Sequence, residues 1–129
     1  EEGGELISKA KELDISPILL VAPNTSNDRI KKISQTADHL IYCVSILGIT
    51  GSSAGCNSDL MRYLHRVKEH SDSPFIVGFG VKSRKDVIEI NSVADGAVVG
   101  SALIELIDSD SDPSKVVKNY IKELTKCKK

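Results

Sequence analysis

Three apolar runs in this chain end in glycines that can offer bare main-chain N–H groups to an anion. "IYCVS" leads into "ILGITG", "PFIV" into "GFG" and "GAVV" into "GS", so Gly51, Gly80, Gly100 and Ser101 all stand just past an apolar stretch. A backbone without a Cβ lets an oxyanion approach its amides closely. Gly100 and Ser101 also open the short apolar piece "SALIELI". If that piece is a helix, its first turn carries unsatisfied N–H groups and about half a positive charge, worth about 0.3 to 1 kcal/mol to a nearby anion. The chemistry that fits is phosphate binding by backbone donors, with no lysine required. The plainer alternative, glycines that only turn tight corners, stays open for any one of them.

Two named phosphate motifs fail. "GITGSSAG" lacks the lysine of a Walker A loop, and a dinucleotide fingerprint starting at Gly78 would meet Ser83 where its third glycine belongs. Other reactive residue types read as structural. Glu89, Glu105 and Asp108 fall on the polar side of helical patterns, and Asp95 precedes an apolar run, at the end opposite the glycines. Cys43 lies inside an apolar run, where a small buried hydrophobe is expected rather than a nucleophile. His39, His65 and His70 have no metal-ligand spacing with one another or with cysteine, so no metal site is expected. Lys82, Arg84 and Lys85, on the first turn of a predicted helix, are expected to point to water.

The elements that position these loops follow from periodicity. Four short apolar runs, at 17–23, 39–45, 74–80 and 96–101, are bounded by Pro, Gly or Ser. Near-continuous apolar character at that length predicts parallel strands buried on both faces. Helical patterns lie between them, with start signals: Thr25 and Asp28 at capping-box spacing, Ser83 and Asp86 likewise, and Pro113 after Asp112. Leu60, Leu64 and Val67 share one helix face, Val87 and Ile90 another, and Val116, Tyr120, Ile121 and Leu124 a third. "GGELISKAKEL" predicts one more helix ahead of the first strand. The order is helix, then strand–helix four times, with "SALIELI" as an extra helix before the last. Such alternation implies right-handed crossovers and an α/β fold. An open doubly wound sheet is complete at about this length, whereas a (β/α)8 barrel of about 250 residues would be present only as half.

Composition narrows the partners. The 129 residues are expected to form a single domain, residues 1–129. Seventeen Lys and Arg against eighteen Asp and Glu leave no surplus charge for nucleic acid or an anionic membrane. No apolar run reaches the roughly 18 residues needed to span a bilayer, and three cysteines make no even framework, so a cytoplasmic protein is expected. The chain opens at Glu1 without an initiator methionine, which reads as a cut rather than a natural start.

Four segments taken together, "LLVAPNTSNDRIKKI", "IYCVSILGITGSS", "PFIVGFGVKSRKDV" and "SVADGAVVGSALIELI", carry a specific likeness. In this order they resemble the C-terminal half of the tryptophan synthase alpha subunit, strands 5 to 8 of a (β/α)8 TIM barrel, and "EEGGEL" is similar to the segment after strand 4. The resemblance implies a lyase of tryptophan biosynthesis that cleaves indole-3-glycerol phosphate to indole and glyceraldehyde 3-phosphate by a retro-aldol step. It needs no cofactor of its own and partners a beta subunit that holds PLP. It places the substrate phosphate on Gly51, Gly80, Gly100 and Ser101 and the indole against Phe79 and Val98. Tyr42 would stand near the substrate, and Thr50 would engage the catalytic aspartate when the active-site loop closes. Ile46 stands where the family often has an arginine, in that same loop. The family's acid and base carboxylates belong to the other half of its barrel, so the 129 residues alone are expected to be inactive. The alternative is a non-catalytic, phosphate-binding half-barrel or interaction module, whose unpaired sheet edges would favour self-association.

Overall fold

The computed structural model describes residues 3–44, 58–78, 80–109 and 112–126. Along the chain these form α1 (Gly3–Glu12), β1 (Leu19–Val21), α2 (Asn27–Thr36), β2 (Ile41–Val44), α3 (Ser58–His70), β3 (Phe75–Gly78), α4 (Arg84–Asn91), β4 (Gly96–Val98), α5 (Ser101–Ser109) and α6 (Pro113–Thr125). The strands make one parallel sheet in the order β1-β2-β3-β4, each beside its predecessor in sequence. A doubly wound sheet reverses direction part-way through its strand order, and this one does not. Strands added steadily in one direction by right-handed crossovers are the pattern of a barrel wall, with every linking helix on one side.

Burial agrees. Ile41 pairs with Phe75, and Val21, Cys43, Val77 and Ala97 lie in one row across the sheet. Side chains of these two rows meet Ile30 of α2, Leu60, Tyr63, Leu64 and Val67 of α3, and Ile90 of α4 in one continuous core, with Ala97 packed at its edge. The rows between them, Leu20–Tyr42–Ile76–Gly96 and Val44–Gly78–Val98, face away from the helices. None of these residues is fully buried, and Leu20 is 61% exposed. The expectation of strands buried on both faces is therefore corrected. Both faces are apolar in sequence, but among the described residues helices cover only one.

Local signals set the helix ends. Ser83 and Asp86 form the expected capping box at the start of α4, and Asp112 caps α6 with Pro113 in its first turn. At α2 the N-cap is Ser26, whose Oγ accepts from Arg29 N, and not the anticipated Thr25. Thr25 Oγ1 instead accepts from Ala22 N at 3.0 Å and closes the turn that leaves β1. A hydroxyl one residue ahead of the cap is better placed to satisfy that strand-end amide.

The amino end of the sheet is tightly hydrogen-bonded. Asp95 Oδ2 accepts from Phe75 N at 2.9 Å, and the buried Ser34 of α2 accepts from the amides of Asp72 and Ser73. Asp95 is thus a structural residue at the face away from the glycines, as its position implied.

One-sided packing makes the two apolar faces unequal in energy. Leu64→Ala, at a fully buried site, is expected to lower stability by about 2–5 kcal/mol. Leu20→Ala, on the open face, should cost about 0.5 kcal/mol or less. Urea unfolding of both variants checks this, and similar losses would contradict a one-sided core.

Candidate functional site

The strand register brings two of the predicted anion donors to the ends of neighbouring strands. Gly78 of β3 pairs with Val98 of β4. Gly80 and Gly100 each lie two residues beyond that pair, at the carboxyl ends of neighbouring strands, which run about 5 Å apart. Gly80 has φ +50°, a left-handed conformation that glycine adopts at little cost, and it is exposed. Gly100 caps α5: its carbonyl accepts from Leu103 N and Ile104 N. The amides that open α5 at Ser101 have no acceptor within the helix, and its first turn contains no acidic residue to compete with an anion.

The β3–α4 loop is held from several directions. Val81 is 3% exposed and anchors it in the core. Asp86 Oδ2 accepts from Lys82 N at 3.1 Å, Ser83 N at 2.9 Å and Ser83 Oγ at 2.8 Å. Burial pulls the Asp86 carboxyl up, but the Ser83 hydroxyl, the two amides and the Lys85 charge outweigh it and hold it below its ordinary value. Arg84 departs from the expectation that it points to water. It is partly buried, and its Nη2 donates to the carbonyl of Lys126 just past α6 at 2.7 Å. Lys82 and Lys85 are exposed, as expected.

On the open face, Tyr42 and Val98 are partly buried and point to the same side of the sheet. Tyr42 leans along its strand toward the carboxyl end and lies across Gly78, where an added Cβ would fall 1.6 Å from the phenol oxygen. Glycine at 78 is what allows the ring this position. Thr50, Gly51, Ile46 and Phe79 lie outside the described residues.

Sequence reasoning missed Arg66 of α3. Its guanidinium donates to Pro23 O and Thr25 O, each at 2.5 Å, and to Asn27 Oδ1 at 3.2 Å, holding the loop that leaves β1. Tyr63, one helical turn earlier, donates to Val21 O at 2.8 Å, and Arg66 stands 6.0 Å from its ring centroid. The i, i+3 spacing was visible, but nothing in the sequence showed that this helix edge faces the first loop. Cys43 is buried, and its thiol is pushed up to about 11 by that burial, partly offset by a hydrogen bond with Tyr63. That state is unreactive, in accord with the reading of a small core residue. Among the described residues no group of three or more His, Cys, Asp or Glu is placed to hold a metal, and no helix is long and apolar enough to cross a membrane.

The arrangement is matched in known proteins. A family model described as tryptophan synthase alpha chain matches residues 1–129. The chain belongs to the tryptophan synthase alpha chain family. The tryptophan synthase alpha chain of Petrotoga mobilis is 44% identical over 126 residues, covering 98% of this chain and 49% of that protein. That of Bacillus subtilis is 42% identical over 112 residues, covering 87% of this chain and 42% of that one. A solved structure of the tryptophan synthase α2β2 complex from Pyrococcus furiosus superposes with TM-score 0.85 at 32% identity, over 95% of this chain and 50% of the matched one. This member of the tryptophan synthase alpha family thus spans about half the length of the curated relatives it matches. Its four strands are the wall of the family's TIM barrel over that half.

Two outcomes follow from this geometry. Gly78→Ala should displace the Tyr42 ring and destabilise the fold, and adding Tyr42→Ala should relieve part of that loss. A double-mutant cycle by urea unfolding checks it, and additive losses would contradict the close approach. Asp86 has a lowered folded-state pKa, so its contribution is fully present above the ordinary value of 3.8 and is lost as pH falls below it. The stability gap between the protein and its Asp86→Asn variant should therefore be widest near neutral pH and shrink in acid below that value. A gap independent of pH would contradict the capping role.

Proposed function

We propose that residues 1–129 form, as a single domain, the phosphate- and indole-binding half of a tryptophan synthase alpha chain. In this reading the site serves a cytoplasmic lyase that cleaves indole-3-glycerol phosphate to indole and glyceraldehyde 3-phosphate. The observation that carries the reading is the pairing at the carboxyl ends of β3 and β4. Gly80, with a left-handed backbone, follows β3, and Gly100 and Ser101, at a helix start with no acidic residue in its first turn, follow the neighbouring β4. In (β/α)8 barrels the loops after the seventh and eighth strands, with the N-terminus of a short extra helix, form the common phosphate site. α5 is that extra helix here.

The chemistry of the walls supports the substrate class. A phosphate takes neutral N–H donors from Gly80, Gly100, Ser101 and Gly51, while the indole meets apolar side chains, Val98 of the open face and Phe79. Tyr42 holds the adjoining strand end of the same face. Thr50 would position an aspartate supplied by the other half of the barrel. General acid and base groups contribute about 10²- to 10⁴-fold each, and without them the 129 residues bind without turning over. The chain needs no cofactor for this chemistry. The partner in this reading is a beta subunit, which holds PLP; the α2β2 complex of tryptophan synthase solved from P. furiosus supports that partnership.

A second reading, a non-catalytic phosphate-binding half-barrel that self-associates, is favoured by the exposed open face at Leu20. One assay separates the two. Residues 1–129 are joined behind the corresponding first half of the P. mobilis relative and given indole-3-glycerol phosphate. Indole release is expected, and Ser101→Glu, which places a like charge at the anion site, should raise KM at least about tenfold. A folded chimaera that binds glycerol phosphate but releases no indole would favour the second reading and overturn the first.

A further inference from the structure

We propose that α6 braces the anion site and that the Tyr120 hydroxyl makes Tyr120 a positioning residue for the β3–α4 loop; this rests on the reading of the β3 and β4 carboxyl ends as the phosphate site. The Lys82 backbone is gripped on both sides. Its N–H donates to Asp86 Oδ2 at 3.1 Å, and its carbonyl accepts from Tyr120 Oη at 2.9 Å, across 38 residues of sequence. Gly80 lies two residues earlier, and buried Val81 stands between them. Fixing Lys82 and Val81 therefore limits how the backbone can turn at Gly80.

The same helix holds the other half of the site. α5, whose start carries Gly100 and Ser101, packs along α6, and α6 also packs against α4. Arg84 on the first turn of α4 donates to Lys126 O beyond the last turn of α6, which secures that end. α6 thus touches both anion-binding segments and sets their separation. Tyr120 stands between Asp86 of α4 and Glu105 of α5. Burial first, then these two negative charges, push its ionisation upward, so the phenol is a hydrogen-bond donor at neutral pH.

Packing alone would be served equally by phenylalanine, so the hydroxyl carries a separable role. The test is Tyr120→Phe in the 129-residue chain, with calorimetric titration of glycerol 3-phosphate where both proteins are folded. Loss of one positioning hydrogen bond should raise Kd about two- to tenfold and shift the Gly80 amide resonance. Leu124→Ala, at the buried position of the same helix, should lower thermal stability yet leave Kd unchanged. An unchanged Kd in Tyr120→Phe overturns the positioning role and leaves the phosphate reading standing. Equal weakening by Leu124→Ala also overturns it, because general helix docking would then set the affinity. Absence of saturable binding by the unaltered chain overturns the phosphate reading and the brace with it.

Discussion

The right-handed crossover is the constraint on which the rest of this structure depends. Four parallel strands laid down in sequence order, each joined to the next by a helix, must carry those helices on a single side of the sheet. The helix-covered face, with Val21, Ile41, Cys43, Phe75 and Val77, becomes the core. The opposite face is left for other contacts, and the carboxyl ends of all four strands gather at one rim. Asp95 and Ser34 knit the amino ends together, so that rim serves stability, and the carboxyl rim is the one proposed to bind, in the manner usual for barrel walls.

In the proposed function the carboxyl rim binds an anion without a cationic side chain. A lysine would supply a full charge but also demand solvation or a partner, which suits poorly the proposed substrate, whose other end is an apolar ring. Backbone amides at a glycine turn and a helix start offer about 0.3–1 kcal/mol, and up to ~2 when partly buried, with their orientation already fixed. The supports are therefore as informative as the donors. Asp86 and Tyr120 hold the β3–α4 loop, while Arg66 and Tyr63 hold the loop leaving β1. Each uses a side chain to fix main-chain carbonyls or amides, so the rim is shaped from behind by the helices.

Much of this was legible in the sequence wherever the physics is local. The Ser83–Asp86 box, Pro113 after Asp112, and the Leu60, Leu64 and Val67 stripe are short-range patterns, and each appears as expected. The placement of Gly80 and Gly100 at neighbouring strand ends also follows, because strand order in an α/β chain is strongly limited. What failed depends on tertiary partners. Apolar alternation cannot show whether the second face of a strand is covered by this chain, and Leu20 is exposed although its run looks buried on both sides. Thr25 and Ser26 compete for one helix cap, and the winner is decided by the Ala22 amide. Arg66 and Arg84 look like ordinary helix-surface charges until the fold sets loop carbonyls beside them.

The central claim is that the carboxyl ends of β3 and β4 form one phosphate site built from backbone amides. Its most direct test is a titration of the ¹⁵N-labelled chain with glycerol 3-phosphate, following every assigned amide. Saturable shifts concentrated at Gly80, Gly100 and Ser101, with a single Kd and sensitivity to competing inorganic phosphate, are the predicted result. Shifts spread over exposed lysines, or linear to the highest concentration at the three named amides, would contradict it.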